Sequence, residues 1–393
     1  MSTKFLAALL LLGFTYKASA QSLEHFVELA MDNHPQLKSE LTKHEALKTQ
    51  EEQASKWQDP SLSVGFNPSS SSMERLNVSL MQNFAWFGTT KLQKEASRVA
   101  VRSNYQNIAA LQKQIMVDVS TLYYDIQEAE QLISLQKKNV QVYSEFEKLA
   151  THKLSTAKGN MVDVVRAELA KENAAIQITL LEQKKEALVY GLNRLVQRNE
   201  NEPIQIESQR YKAILREADI NTHPEIQAIT LKKEEMDVRT KVAEKESLPT
   251  IGLGVEYMRM NPARNDFMPM VSMSIPIFRK KYKAKIQETK LLGEAYEQER
   301  DWAINQLYRE RNQIENQLIQ ANQELDLYSK QIEKVKKAKE LLLTYYSTAG
   351  QDFEELLRLQ QEEFSYENIL ITTQATALKL EKQSEYLHFS SLK

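Results

Sequence analysis

This chain repeats itself, and the repeat limits its possible folds more than any other feature. The stretch NHPQLKSE at 33–40 returns as THPEIQAI at 222–229. About 190 residues separate His34 from His223, and Pro60, Val64 and Gly65 meet Pro249, Leu253 and Gly254 at the same distance. FAWF at 84–87 answers IPIF at 275–278, and STAKGNMVDVVRAE at 155–168 answers STAGQDFEELLRLQ at 347–360. Each match is short. Their common order and near-constant spacing indicate a tandem duplication, so both halves must be able to adopt one architecture.

Each half reads as helix, strand pair, very long helix, helix. The first helix runs from Ser22 to about Trp57, and its counterpart from about His223 to Ser247. Asp59-Pro60 and Leu248-Pro249 stop them, because proline has no N–H for the ladder and biases its predecessor away from α. The long segments, Thr89 to about Ala157 and Arg279 to about Ala349, carry apolar residues at three- and four-residue steps, as in Ile108, Leu111, Ile115, Leu122 and Ile126. Breaks follow at Gly159 and Gly350, then helices to about Gln197 and about Phe389. With 9 glycines in 393 residues, turns are few. At 1.5 Å per residue each long helix covers roughly 105 Å, matched by the two shorter helices of its half laid end to end. Such lengths suit a bundle of antiparallel neighbours.

Four short segments interrupt the helical period: 61–67, 75–87, 248–258 and 267–278. All alternate. One face shows Leu62, Val64, Phe66, Val78, Leu80, Ile251, Leu253, Val255 and Val271, and the other Ser63, Gly65, Asn77, Ser79, Gly252, Gly254 and Glu256. Strands of about ten residues suit a tilted bilayer crossing, and Trp86 and Tyr257 near their ends suit its interfaces. Spanning strands cannot leave edges unpaired in lipid, and known barrels begin at eight strands, so several chains must pool theirs.

The first twenty residues fit this reading. Lys4, an apolar run from Phe5 to Phe14 and Ala18-Ser19-Ala20 form a cleavable secretory signal. The run is too short to span a bilayer as a helix. The expected organisation is therefore a signal (1–20), a first repeat (21–198, hairpin 60–87), a linker with a short strand at its IQIE (199–221), and a second repeat (222–393, hairpin 249–278).

Nothing points to an enzyme, a cofactor or a resident metal. There is no cysteine, and the six histidines lack ligand spacing. His34-Pro35 and His223-Pro224 read as turns. Gly252-Leu253-Gly254 lacks the third glycine and the helix of a nucleotide loop. A net charge of −2 leaves no footprint for nucleic acid. Methionines gather around the strands (Met73, Met81, Met258, Met260, Met268, Met270, Met273). Thioethers suit soft Cu(I), but methionine also fills apolar surfaces, and packing is the expected role.

SLEHFVELAMDNHPQLKSE, DPSLSVGF, QNFAWFGTTKLQKE and the paired stretches KLSTAKGNMVDVVRAEL and YYSTAGQDFEELLRLQ, in their duplicated order, resemble the TolC-type outer-membrane efflux proteins over the whole mature chain. The resemblance implies a mainly α fold with a small β part. It would be a homotrimer with a long antiparallel α-helical barrel in the periplasm and a twelve-stranded β-barrel in outer-membrane lipid, four strands from each chain. It further implies a passive exit duct for an inner-membrane pump, joined by a periplasmic adaptor that docks at the turns around Gly159 and Gly350. Acidic residues near those turns would ring the closed pore, with Asp163, Asp352, Glu354 and Glu355 the candidates. The family's own acidic positions fall where this chain has Leu356 and Leu359. The short linker implies a reduced equatorial belt. The competing architectures are a periplasmic coiled-coil adaptor, which has one helical hairpin between β-rich domains, and a structural coiled coil, which needs no alternating strands.

Overall fold

The computed structural model describes residues 21–67, 75–211, 220–260, 264–349 and 353–387. The elements are α1 (Leu23–Asn33), α2 (Pro35–Ala54), β1 (Ser61–Asn67), β2 (Arg75–Phe84), α3 (Thr89–Ser155), α4 (Met161–Leu195), a 3-10 turn (Ile220–Thr222), α5 (Pro224–Glu246), β3 (Ile251–Met260), β4 (Arg264–Met273), α6 (Arg279–Ala349) and α7 (Phe353–Leu387). The long helices have 67 and 71 residues. No helix among the described residues is long and apolar enough to cross a membrane.

Where the elements differ from the sequence expectation, the cause is local. The helix expected from Ser22 to Trp57 is two helices. His34 is extended (φ −60°, ψ 120°) and Pro35 opens α2; in the second half His223 (φ −60°, ψ 135°) and Pro224 open α5 in the same way. The repeated His-Pro pair is thus an N-cap followed by an N1 proline, where the missing N–H has no helical partner to lose. His223 is buried edge-on against the Tyr386 ring at 4.9 Å. Burial pushes its imidazole down to about 4. At the other end of the hairpin, β2 stops at Phe84 rather than Phe87. The Trp86 carbonyl accepts from the Thr89 N–H (3.0 Å) and hydroxyl (2.7 Å), turning the chain through Gly88 (φ 85°) into α3. β4 runs from Arg264 to Met273, not 267 to 278. Beyond it the Ile277 N–H donates to the Ile275 carbonyl (2.9 Å), a tight turn centred on Pro276, which has no ladder donor.

The chain folds as two compact units. The first holds α1, residues 118–155 of α3, α4 and the segment to 211, residues 323–349 of α6 and 353–379 of α7. Phe26 packs on Tyr123 with ring centroids 6.0 Å apart. The Tyr123 hydroxyl lies 3.0 Å from the carbonyls of Gln21 and Glu207 and accepts from the Glu207 N–H at 3.1 Å. The strand expected in the linker is one parallel bridge, Gln21 with Ile206. It holds that segment along α3, where Gln127 Nε2 donates to the Gln209 carbonyl at 2.8 Å.

The second unit holds α2, the four strands, residues 89–117 of α3, α5, residues 279–322 of α6 and the end of α7. Short polar contacts lock its helices together. Ser103 Oγ donates to the Ala228 carbonyl (2.9 Å), His44 Nδ1 meets Asn104 Oδ1 (3.0 Å), and the hydroxyls of Thr240 and Thr289 meet at 2.9 Å.

Candidate functional site

The two strand pairs are one antiparallel sheet in the order β1-β2-β3-β4. The junction is β2 with β3, from Arg75↔Met260 to Phe84↔Ile251, so the repeats meet through main-chain hydrogen bonds. Within the described chain β1 and β4 each pair on one side only.

The register sorts the side chains. Val64 lies across from Val78, Val78 from Tyr257, and Tyr257 from Phe267; one step along, Leu62, Leu80 and Val255 align. A period of two then makes this face predominantly apolar on all four strands, with Gln82, Arg259 and Asn265 its polar members. Much of it lies open among the described residues: Val64 is 64% exposed and Val271 77%. The opposite face carries Ser63, Ser79, Asn77, Glu256 and Ser272, and Asn77 Nδ2 donates to Glu256 Oε1 at 3.0 Å. Four of the strand methionines, Met81, Met258, Met268 and Met270, also fall on this polar side by register, while Met273 lies on the apolar one. Gly254 sits between Met81 and Met270. A Cβ there would stand 2.6 Å from the Leu80 carbonyl oxygen and 3.0 Å from Met81 Sδ. The glycines of the GLG stretch give room to the neighbouring strand.

The second candidate lies in the first unit, at the end of α3 with the start of α4 and the end of α6 with the start of α7. α3 ends with a double hydrogen bond: the Lys158 N–H to the Lys153 carbonyl (2.9 Å) and the Ala157 N–H to the Leu154 carbonyl (3.0 Å). This is the Schellman arrangement, and its left-handed residue is Ala157 (φ 57°) rather than Gly159. Gly159 serves close approach instead, since a Cβ there would lie 2.8 Å from the Leu154 backbone nitrogen and from Lys153 Cβ. Asn160 caps α4, its Oδ1 accepting from the Val162 N–H at 3.1 Å. Asp163 follows in the first turn, where the helix dipole favours a carboxylate, yet burial raises its pKa against the pull of Arg166.

Of the sequence candidates, Gly159, Asp163, Glu354 and Glu355 are placed, and Gly350 and Asp352 lie outside the described residues. Glu354 pairs with Arg166 at 2.7 Å and so joins α7 to α4. Glu355 turns along its own helix to a two-pronged bond with Arg358, which holds its pKa low. Leu356, where the resemblance places an acid, is fully buried with Tyr346, Phe353, Phe146 and Ala167. Sequence reasoning missed Lys153 and Tyr346. Lys153 Nζ donates to the Ser347 carbonyl at 2.6 Å and lies over the Tyr346 ring, 5.8 Å from its centroid. Tyr346 is buried, its hydroxyl has no hydrogen-bond partner among the described residues, and burial, with the Asp163 charge behind it, pushes its pKa up to about 12. The available signal was a lysine in the last turn of a helix, where a cation suits exposed carbonyls.

No group of three or more His, Asp or Glu among the described residues is placed to hold a metal ion. The sequence matches no family model and no curated protein. Solved structures do match, over nearly the whole chain. CusC, described for the changes that accompany its folding and transmembrane channel formation, is 13% identical over 94% of this chain and 92% of its own, with a TM-score of 0.81. The outer membrane protein VceC from Vibrio cholerae is 12% identical over 93% and 95%, TM-score 0.78. The open-state outer membrane channel MtrE from Neisseria gonorrhoeae is 18% identical over 93% and 88%, TM-score 0.77. The chain therefore has the fold of the TolC-type outer-membrane channels.

Proposed function

We propose that this chain is the outer-membrane exit duct of a tripartite efflux system, a passive homotrimeric channel that carries small molecules or metal ions outward from a pump. The observation that carries this reading is the register of the sheet. One face is predominantly apolar and largely open, and among the described residues the outer edges of β1 and β4 have no strand partner. In lipid each unpaired N–H or C=O costs several kcal/mol. Four strands are too few to close on themselves, and three chains supply twelve. Closure turns the apolar face to lipid and the face of Ser63, Asn77, Ser79 and Glu256 to a water-filled lumen. The fold shared with CusC, VceC and MtrE supports the same arrangement.

In this reading the helices stand in the periplasm, and the turns at Gly159 and Gly350 receive a periplasmic adaptor that couples the duct to an inner-membrane pump. The protein does no chemistry; its work is to seal and to open. Asp163, Asp352, Glu354 and Glu355 form the acidic entrance, and threefold repetition of carboxylates there draws in cations. Replacing Asp352, Glu354 and Glu355 with alanine weakens divalent-cation block in planar bilayers. Unchanged block would remove them from the entrance. The duct itself is tested by fractionating cells that make the full chain. The expected result is an outer-membrane species that migrates as an oligomer until boiled. A monomer released by osmotic shock would overturn the duct in favour of a coiled-coil adaptor or structural protein.

A further inference from the structure

One end of the sheet carries two features that a sealed duct does not require. Here β1 and β3 begin and β2 and β4 end, with Ser274 N–H bonded to the Thr250 carbonyl at 3.0 Å. The first feature is an apolar cleft of about 360 Å³ lined by Trp57, Phe84, Trp86, Phe87 and Leu253 among others. Trp57 meets Phe84 edge-on at 5.1 Å, yet stays 67% exposed. The second begins directly after the exposed Phe278, where α6 opens with Arg279, Lys280, Lys281, Tyr282, Lys283, Ala284 and Lys285. All five basic side chains are exposed. Among the described residues, only Lys285 of this run has a carboxylate partner, Glu288 at 3.2 Å.

Cations at a helix N-terminus oppose the dipole, and α6 has no acidic residue in its first turn to compensate. The run therefore works against its own helix, and among the described residues only Lys285 finds a compensating carboxylate. A cleft shaped for hydrocarbon and a cluster of cations at the same end of one sheet complement the two parts of a phospholipid. We propose that this end of the sheet binds an anionic phospholipid, one acyl chain in the cleft beside Trp57 and Trp86 and the phosphate at Arg279, Lys280, Lys281 and Lys283. A zwitterionic lipid fits less well because its own ammonium meets the same cations. The proposal rests on the outer-membrane reading above.

The chain has three tryptophans, so W302F leaves emission from Trp57 and Trp86. The full chain in that background is reconstituted in phosphatidylcholine vesicles. These contain equal mole fractions of either dibrominated phosphatidylglycerol or dibrominated phosphatidylcholine, whose bromines quench tryptophan on contact. Phosphatidylglycerol is expected to occupy the site at least about threefold more strongly. The preference falls to parity in about 1 M salt and in the R279Q/K280Q/K281Q/K283Q variant, while quenching by phosphatidylcholine persists. Equal quenching by the two lipids in the W302F protein would overturn the proposal and leave insertion intact. A preference that survives the four substitutions would overturn the assignment to α6. Absence of quenching by either lipid would instead sink the membrane reading itself.

Discussion

The helix turns of the first unit and the sheet of the second handle apolar surface in opposite ways. Around the turns, Tyr346 and Leu356 are fully buried and Phe353 is 3% exposed, all against side chains of the same chain. On the sheet, residues equally apolar stand open along four consecutive strands. Both regions draw on both halves of the chain, each half supplying one strand pair and one set of facing helix ends. The turns complete a hydrophobic core with what one chain provides. The sheet does not; in the proposed duct, lipid covers its face and further copies pair its edges. A single chain thus contains a finished part and an unfinished one, and the unfinished part dictates where the protein can reside.

Substitutions should separate the two. Phe353→Ala empties the centre of the turn core and should cost about 3–5 kcal/mol. Hydrogen exchange across residues 143–150 and 353–360 should rise in vesicles and in detergent alike. Val271→Arg should leave those turns unchanged and cost about 2–4 kcal/mol of folding free energy in a bilayer, because the charge would enter hydrocarbon. Urea titration in vesicles measures it, and a cost near zero would mean that the face meets water. The smallest effect is expected from Asp163. Its pKa is raised in the fold, so its charged form weakens the turn region; stability should grow as pH falls from neutral through that raised value toward the ordinary aspartate range. Glu355, held low by Arg358, pulls the other way, losing its contribution as pH falls. The informative quantity is therefore the difference between wild type and Asp163→Asn, expected to be well under about 1 kcal/mol at this partly exposed site. Exchange at residues 161–170 between pH 7 and pH 4 reads it out.

The sequence made the larger pattern legible because its signals are periodic. Alternation exposed all four strands, and the repeat predicted their order within each half. Endpoints depended on single hydrogen bonds that no period encodes, such as Thr89 to Trp86 at the end of β2. The junction of β2 with β3 was equally hidden, since nothing local says that two hairpins about 190 residues apart share an edge. At the turns, the glycine was visible but its task was not. A left-handed position is usually assigned to glycine, and here Ala157 takes it while Gly159 makes room for Lys153 and Leu154. Lys153 and Tyr346 escaped notice because their meaning lies in a contact between the two repeats.

The central claim is that the open edge of β1 in one chain pairs with the open edge of β4 in the next. The chain has no cysteine, so one can be placed on β1 at Leu62 or Val64 and another on β4 at Val271 or Met273, with no background thiol. These doubly substituted chains, treated with a short bismaleimide in outer-membrane vesicles, should give a covalent ladder on denaturing gels that stops at three chains. Bands that remain at the size of one chain for every pair would contradict the account.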